Sequence, residues 1–376
     1  MKKSLVTALG ALLLLGGGLS LATSGTAGAK PSGEFVSTTG TDTGNCVSAP
    51  CATVNYAISQ ATAGETINVA AGTYNQTVNI DKPVTLRGAG ASKTTIDGTG
   101  LDPSAQGYYG VVFVGDAGGA VTVSGFTITN PYPDAYTSGE PEAIALADHN
   151  AGDTISLDKN TITEGTADTN SGTDFPIGID TFLNAATTDI SDNTVTGFFQ
   201  GALLEDNGPA TLTKNKFASL ISGFDGTNTY PGEGVFFLAD EGGTYTNQDA
   251  TRNQFSLYSG YGIAEDAGYT NGYCNGQLCP GGLTSTLTSN KFALTGGSTA
   301  AAIALTATGN GDNLTAQLTT NKGYVTAPSS GISTSSVSGG TLNISENGNK
   351  ITVKGGAAAT HAGSALGALH VPAHHG

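Results

Sequence analysis

Residues 211–217 read TLTKNKF, and almost the same heptapeptide, TLTSNKF, returns at residues 286–292. Weaker copies read SLDKNTI, DISDNTV, DATRNQF, QLTTNKG and NISENGN and are centred on Asn160, Asn193, Asn253, Asn321 and Asn347. Successive asparagines of the series lie 22 to 38 residues apart. A fixed motif with variable spacing is typical of a solenoid, because insertions lengthen its loops without altering the stacked coils.

A second, apolar strand lies between successive asparagine motifs, as in AIALAD from Ala143, GALLED from Gly201 and GVFFLAD from Gly234. A strand this short cannot bury its face alone. Parallel stacking of coils about 4.8 Å apart solves the problem, because backbone groups then pair with the coils above and below. The sequence therefore predicts an all-β fold, a single-stranded right-handed parallel β-helix (solenoid) over residues 30–355.

The repeated asparagines have a structural interpretation. An asparagine tolerates the left-handed backbone of a sharp bend, and its amide can bond to the same amide one coil on. We therefore predict that Asn193, Asn215, Asn253 and Asn290 form a ladder. A catalytic role for them is disfavoured, since a stacked asparagine row is expected at such turns.

The N-terminal edge of an open β-helix needs a cover, because its strand is otherwise unpaired. Val54, Ala57, Ile58 and Ala61 fall at helical spacing. Residues 53–62 are therefore predicted to form a short capping helix over the first coil.

The N-terminal half carries a resemblance to a known group of proteins. GETINVAAGTY at residues 64–74, VNIDKPVTLRGAG at 78–90 and VTVSGFTIT at 121–129 resemble the opening coils of the pectin-lyase-like β-helix superfamily. With the asparagine repeats, the resemblance covers residues 35–355 and implies the same fold. It implies no single activity, because the superfamily contains lyases, hydrolases, esterases, epimerases and adhesive stalks.

The motifs of the superfamily's best-known enzymes are missing from this chain. The Gly-His-Gly and Arg-x-Lys motifs of polygalacturonases are absent, as is the constellation of pectin methylesterases. Pectate lyases use calcium aspartates with an Arg or Lys base, and the only arginines here are Arg87 and Arg252. A calcium-dependent polysaccharide lyase is therefore a disfavoured alternative, also because an acidic groove repels polyuronate without bound calcium.

Both termini are expected to lie outside the β-helix. Residues 1–29 read as a secretory signal peptide, in which Lys2 and Lys3 precede an apolar stretch and a small-residue cleavage site follows. A membrane anchor is the disfavoured alternative, because Gly16, Gly17 and Gly18 interrupt that stretch. Residues 356–376, rich in Gly, Ala and His, are predicted to be a disordered tail. We expect a secreted, extracellular protein without membrane insertion.

The charge balance limits the partners. The chain has 30 acidic residues against 14 Lys and Arg, a formal net charge of −16. Nucleic acid is not an expected partner, because phosphate binding needs cationic density.

Four cysteines in an exported chain predict disulfides. Stacking separates the N-terminal pair from the C-terminal pair by many coils, so local bridges are expected. Zinc is disfavoured, since no further ligand lies close to either pair. The predicted disulfides join Cys46 to Cys51 and Cys274 to Cys279.

Acidic residues concentrate where the apolar strands end. Of the 30 acids, 21 fall between Asp134 and Asp266. Stacked coils would align these strand ends in a vertical acidic strip. The candidate catalytic residues are Asp180, Glu205, Asp206, Asp240, Glu265 and Asp266.

Three interpretations of the strip stay open. It is a solvated face that keeps the protein soluble, a site for Ca²⁺ between adjacent coils, or a pair of glycosidase carboxylates. In the last case one carboxyl donates a proton to the leaving oxygen, and the other acts as base or nucleophile. No cofactor is required, and Ca²⁺ is the one ion that the strip suggests.

Aromatic residues near the strip offer ring faces to a sugar. The candidate substrate-binding residues are Phe199, Phe237, Tyr258, Tyr261, Tyr269 and Tyr273. The predicted function is to bind or cleave an extracellular polysaccharide or cell-surface glycan, with glycoside hydrolysis as the candidate reaction. The alternative is a non-catalytic adhesive or structural β-helix.

Overall fold

The computed structural model describes residues 34–103, 110–130, 141–164, 175–221, 223–224, 229–239, 243–258, 260–268, 280–296, 301–309, 311–326, 330–337, 339–355 and 361–363. The chain divides into two units, residues 1–32 and 33–376, and all described residues belong to the second. The predicted signal peptide therefore lies outside the described residues.

Three parallel sheets form the described body, and a short antiparallel pair, β19 (Gly223–Phe224) and β20 (Thr229–Tyr230), stands beside them. Sheet A contains β1 (Glu34–Val36), β2 (Thr66–Val69), β5 (Thr85–Gly88), β8 (Ala120–Ser124), β11 (Thr154–Asp158), β14 (Thr187–Ser191), β17 (Ala210–Thr213), β22 (Thr244–Thr251), β25 (Gly282–Thr288), β28 (Asn313–Thr319) and β31 (Thr341–Asn347). Sheet B contains β3 (Gly72–Tyr74), β6 (Thr94–Asp97), β9 (Thr127–Thr129), β12 (Thr161–Thr163), β15 (Thr194–Thr196), β18 (Lys216–Ala218), β23 (Gln254–Leu257), β26 (Lys291–Leu294), β29 (Lys322–Thr326) and β32 (Lys350–Lys354). Sheet C contains β4 (Val78–Ile80), β7 (Gly110–Val114), β10 (Glu142–Leu146), β13 (Ile177–Phe182), β16 (Gln200–Glu205), β21 (Glu233–Ala239), β24 (Tyr261–Ala267), β27 (Ala301–Ala307), β30 (Ser330–Ser336) and β33 (His361–Gly363).

Each coil passes through sheets C, A and B in turn, as β13, β14 and β15 do before β16 opens the next coil. Neighbouring strands in each sheet come from successive coils and pair in parallel. The predicted right-handed parallel β-helix is confirmed. The repeated motif is a corner of the coil, since its first half lies in sheet A and its second half in sheet B.

The asparagine ladder runs along this corner. From Asn160 to Asn321, the backbone N–H of each ladder residue donates to the side-chain oxygen of the next at 2.8–3.0 Å. Each Nδ2 also donates to a strand carbonyl of the preceding coil at 2.7–2.9 Å. These side chains are buried, so the predicted ladder is confirmed.

Two details of the corner differ from expectation. The left-handed residue is the one before each asparagine, with φ of 53° to 59° at Lys159, Asp192, Lys214, Arg252, Ser289 and Thr320. The ladder position requires asparagine because its side-chain amide makes these hydrogen bonds. The left-handed position before it accepts varied residues. The last ladder residue is Asn349, which accepts from Asn321, whereas Asn347 pairs in register with Thr319. The motif of the last coil is therefore displaced by two residues.

The N-terminal end is covered as predicted. Helix α1 spans Val54–Gln60, begins at the N-cap Thr53 and buries Val54, Ala57 and Ile58. The disulfide Cys46–Cys51 is present, whereas Cys274 and Cys279 lie outside the described residues. No helix in the described ranges has the length and apolarity needed to span a membrane.

The stacking extends beyond residue 355. Within the predicted tail, His361–Gly363 form β33, which pairs with β30. This corrects the predicted boundary of the β-helix, because the backbone of these residues adds a strand to sheet C. The other residues between 356 and 376 lie outside the described residues.

Replacing one ladder asparagine tests the corner. We expect Asn215→Ala to lower the free energy of unfolding by about 2–4 kcal/mol, because buried partners of that amide lose their hydrogen bonds. Those partners are the N–H of Asn193 and the carbonyl of Ile190. Urea unfolding followed by circular dichroism measures the change. The adjacent exposed Lys216→Ala is the control, and equal stability of the two variants would contradict the role of the ladder.

Candidate functional site

Sheet C lies between two apolar clusters. The main core inside the coils includes Ile179, Val235, Phe237 and Ile263. A second cluster contains Ile177, Leu203, Phe236, Leu238, Tyr261, Ala264, Ala301 and Ala304. Because successive strand residues point to opposite faces, Phe237 faces the interior and Phe236 the exterior. The outward-facing side of strands β10 to β30 is here named the C face.

The C face is buried along most of its length. Every residue of strands β10, β16, β21, β24 and β27 is buried, on the outward as well as the inward side. The expected solvent-exposed acidic strip is therefore not found on these strands.

The candidate carboxyls of the C face do not form one column. Asp180 pairs in register with Leu203, and Glu205 pairs with Leu238, so the two acids occupy different columns. Asp266 shares the column of Glu205, since Leu238 also pairs with it, and it accepts a hydrogen bond from Thr308 at 2.9 Å. These three carboxyls face outward, but each is 3% exposed or less.

The prediction for Glu265 is wrong both in the direction in which its side chain points and in the exposure of that side chain. It pairs in register with the core residues Phe237 and Leu305, so its side chain lies inside the coils. Its Oε2 accepts a hydrogen bond from the Ser285 hydroxyl at 2.9 Å, and its Oε1 has no partner among the described residues. Burial raises the pKa of Glu265 to about 8, although the Ser285 bond acts in the opposite direction. The group is a protonated core residue at neutral pH, which places it away from any surface reaction.

Asp206 and Asp240 do not extend the strip either. Asp206 lies in the turn after β16, with a φ of 46° and 3% exposure. Its backbone N–H donates to the carbonyl of Leu238 at 3.0 Å. Asp240 lies outside the described residues.

A glutamate missed by the sequence prediction also lies on the C face. Glu233 occupies the column of Glu142, Gln200 and Tyr261, and it accepts a hydrogen bond from the Gln200 amide at 2.8 Å. Burial raises the pKa of Glu233 to about 8, partly offset by that bond, and burial raises the pKa of Tyr261 to about 12. The sequence position of Glu233 could have identified it, because Gln200 and Glu233 both directly precede a glycine at the start of an apolar strand.

Three of the four expected sugar-stacking aromatics that the structure describes are buried. Phe237 lies in the main core, Tyr261 is 4% exposed, and Phe199 packs edge-on against Phe175 with ring centroids 5.0 Å apart. This corrects their assignment to a ligand-binding surface, because rings without exposed faces cannot stack on a sugar. Tyr269 and Tyr273 lie outside the described residues.

Tyr258 is the exception, and it lies on a different sheet. It follows β23 at a position that alternates with Gln254 and Ser256, so it belongs to the outer side of sheet B. Its exposed fraction is 74%, whereas no other large apolar side chain in the described ranges exceeds 39%. We name this surface the B face and define it by Lys216, Ala218, Gln254, Ser256, Tyr258, Lys291, Ala293, Thr295, Lys322, Tyr324, Thr326, Lys350, Thr352 and Lys354.

Within the described residues, the C face offers few side chains that could bind a metal ion or act as the base of a lyase. Among the described residues, no group of three or more His, Cys, Asp and Glu is arranged to hold a metal ion, and Ca²⁺ stays a prediction. The strands of sheet C contain no Lys or Arg. Arg87 lies on sheet A and Arg252 at the ladder corner, so neither is placed as a base beside the carboxyls.

A cleft of about 540 Å³ opens near the N-terminal end and is lined in part by Phe35, Asn68 and Arg87. Its lining contains no carboxyl. It therefore lacks the acid and base that glycoside hydrolysis needs.

A family model described as a protein of unknown function, DUF1565, matches residues 36–236, more than half of the chain. No curated protein matches the sequence.

Several solved structures are similar at low identity. Pectin methylesterase PemA from Erwinia chrysanthemi is 15% identical with a TM-score of 0.46, over 69% of this chain and 78% of that one. PfbA, a surface adhesin of Streptococcus pneumoniae, is 13% identical with a TM-score of 0.45, over 78% and 72%. An alginate lyase from a Paenibacillus strain is 14% identical with a TM-score of 0.44, over 85% and 97%. The β-helical fold that the resemblance implies is shown by the three parallel sheets themselves, and no activity passes from these proteins to this chain.

The buried Glu265 predicts a pH dependence of stability. Its pKa is raised from 4.5 to about 8 in the folded protein. Between these values the folded state holds a proton that the unfolded state has released, so stability falls as pH rises through this window. We expect Glu265→Gln to reduce this loss by on the order of 1 kcal/mol per pH unit, because an amide does not ionise.

Urea unfolding at pH 5.5, 7 and 8 measures the effect. Glu233 contributes the same trend to both proteins, so the difference between them reports Glu265 alone. Glu346→Gln, at an exposed glutamate, is the control. Parallel pH profiles for wild type and Glu265→Gln would refute a protonated Glu265.

Proposed function

The chain belongs to the DUF1565 family, whose description assigns no activity, and we propose that it binds an extracellular polysaccharide through the B face. Localisation outside the cell is part of this proposal. The Cys46–Cys51 disulfide supports it, because disulfides form and persist in oxidising compartments. The proposed surface differs from the acidic strip that the sequence suggested.

The exposure of Tyr258 is the observation that carries the proposal. A ring that is 74% exposed presents an apolar face to solvent, and such a face packs against the apolar side of a pyranose. The surrounding B face is built from adjacent parallel strands in register. Gln254 and Ser256 precede the ring on the same outward-facing side and supply hydrogen-bonding groups for sugar hydroxyls.

A second ring lies on the same face. Tyr324 belongs to β29, two strands beyond β23, and the ammonium of Lys354 lies 3.2 Å from its ring centroid. Two strand spacings separate the rings along the helix axis by about 10 Å. In register Tyr324 aligns with Ala293 and Ser256, two residues from Tyr258 along the strand direction, so a polysaccharide contacts both rings by crossing the strands obliquely.

Hydrolysis on the C face is the second candidate function. Asp180 and Glu205 lie on neighbouring strands and two positions apart, so their Cα atoms are on the order of 8 Å apart. Carboxyls separated by about 5–9.5 Å are typical of glycosidases. This candidate ranks second because both side chains are buried, whereas the B face is accessible.

Truncation of Tyr258 tests the proposed binding surface. We expect Tyr258→Ala to weaken binding to a polysaccharide ligand by about tenfold, because the stacking ring is lost. Tyr258→Phe keeps the ring and should bind like the wild type. Calorimetry against a panel of soluble neutral and acidic polysaccharides measures the affinities. Binding to no member of the panel, or equal binding by Tyr258→Ala, would rule the proposal out.

Amide variants test the second candidate. If the C face hydrolyses a glycan, Asp180→Asn and Glu205→Gln should each reduce the release of reducing ends at least ~100-fold, because a proton donor or base is removed. Asp189→Asn, on sheet A, is the matched control. Turnover that is absent in wild type or unchanged in both variants would discard hydrolysis.

A further inference from the structure

The cleft near the N-terminal end is built on sheet A, away from the B face. Phe35, Asn68 and Arg87 line it and occupy one register position on the consecutive strands β1, β2 and β5. Neighbouring strands lie about 4.8 Å apart, so the phenyl ring and the guanidinium project from backbone positions about 10 Å apart, with the Asn68 amide between them. One row of side chains therefore presents an apolar group, a polar group and a cation in turn.

Short side chains beside this row explain the depression. Ser37, Ala70 and Ala89 each lie two residues after a member of the row, and all three line the cleft. They fill little of the space next to the ring, the amide and the guanidinium. The resulting volume of about 540 Å³ lies within the range of about 300–1,000 Å³ that is common for sites of small molecules.

A disulfide loop holds the apolar end of the cleft. Pro50 lines the cleft and precedes Cys51, which is bonded to Cys46 and forms a parallel bridge with Val36 of β1. The backbone N–H of Cys51 donates to the carbonyl of Phe35 at 2.9 Å. Covalent and backbone bonds thus fix this end before any ligand arrives, which lowers the entropic cost of binding.

The opposite end carries a positive charge without an acidic partner. The ion pairs in the described part of the chain are His149 with Asp116 and Lys159 with Asp158, and neither involves Arg87. The next charged residue in the column of Arg87 is Asp158, two strands further on, and Lys159 already pairs with it. No carboxyl lines the cleft, so the guanidinium is available to an anion.

We propose that this cleft binds a small aromatic monocarboxylate. The carboxylate pairs with the planar fork of Arg87 through two parallel hydrogen bonds, and the ring packs against Phe35 and Pro50. Asn68 lies between the two ends and bonds a polar substituent of the ligand. A ring joined to its carboxylate by a short link spans the distance between the apolar and cationic ends. The site is independent of the polysaccharide surface proposed on the B face.

Other small ligands match the cleft less well. Inorganic phosphate gains most from several cations or a cluster of backbone N–H groups, whereas the lining contains a single cation. Acetate reaches Arg87 but leaves the apolar end in contact with water. A neutral aromatic compound covers the apolar end and leaves the guanidinium without a partner. An aromatic monocarboxylate satisfies both ends with one charge.

A comparison of three probes tests the ligand class. We expect trans-cinnamate to bind at least ~tenfold more tightly than trans-cinnamamide or acetate, because it alone engages both ends of the cleft. Titrations followed by calorimetry or by NMR shifts measure the affinities. Equal affinity for cinnamate and cinnamamide would overturn carboxylate recognition. Absence of cinnamate binding at about 10 mM would overturn the site itself.

Substitution of Arg87 tests the role of its guanidinium. Arg87→Gln should weaken cinnamate binding at least ~tenfold and leave the affinity for cinnamamide within about twofold, since only the charge pairing is lost. Arg87→Lys keeps the charge without the fork and should recover part of the loss. Arg252→Gln, at the chain's other arginine, is the matched control. Equal cinnamate affinity in wild type and Arg87→Gln would refute the assignment.

Filling the depression separates binding in the cleft from attraction to an exposed arginine. Ala70→Leu leaves Arg87 intact and should weaken cinnamate binding by about fivefold, because its side chain occupies space that the ligand needs. Ala63→Leu, at an exposed alanine outside the cleft, is the control. Circular dichroism confirms that each variant is folded. Binding that depends on Arg87 but tolerates Ala70→Leu would place the ligand outside the cleft and contradict the proposal.

A peptide C terminus carries the same pair of groups and is measured alongside. An acetylated tripeptide ending in phenylalanine that binds more tightly than cinnamate, and loses affinity in Arg87→Gln, would make a protein C terminus the occupant and overturn the small-molecule assignment. Tyr258→Ala should leave cinnamate binding unchanged. Failure of the polysaccharide proposal is therefore distinguishable from failure of this one.

Discussion

The hydrogen bonds of the asparagine corner fix the register on which the rest of the molecule depends. From Asn193 to Asn321, each buried side-chain amide bonds to a strand of the preceding coil and to the next asparagine, as Asn215 does with Ile190 and Asn253. A strand displaced by one residue would exchange its inward and outward side chains. The ladder therefore decides which residues build the core and which residues form columns on the surface.

The register set at the corner is transmitted across the interior by aromatic packing. Phe217, Phe255 and Phe292 follow their ladder asparagines by two residues and stack with centroids 5.2 and 5.0 Å apart. Their rings reach sheet C, where a Cβ on Gly201 would lie 2.6 Å from the Phe217 ring. Gly201, Gly234 and Gly262 are thus required by the phenylalanine stack, and this packing links sheet B to sheet C.

Local patterns in the sequence were sufficient to predict the solenoid, the ladder and the capping helix, because each of these depends on neighbouring residues and on repetition. The burial of the C face could not be predicted in this way, since a strand pattern does not reveal what covers its outer side. Glu265 was assigned to the surface from its place at a strand end, whereas register puts it in line with Phe237. The displacement from Asn347 to Asn349 is equally non-local, because only pairing with β28 reveals it. The lysines that follow Asn215, Asn290 and Asn321 were present in the motif, but their alignment on one face emerges only when the coils are stacked.

The formal charge of −16 overstates the repulsion that an anion meets at the B face. Burial raises the pKa of Glu233 and of Glu265 to about 8, so at neutral pH both are largely uncharged. The charges that remain on other faces are screened over about 8 Å at physiological salt. An acidic polysaccharide at the B face therefore meets less repulsion than the formal net charge suggests.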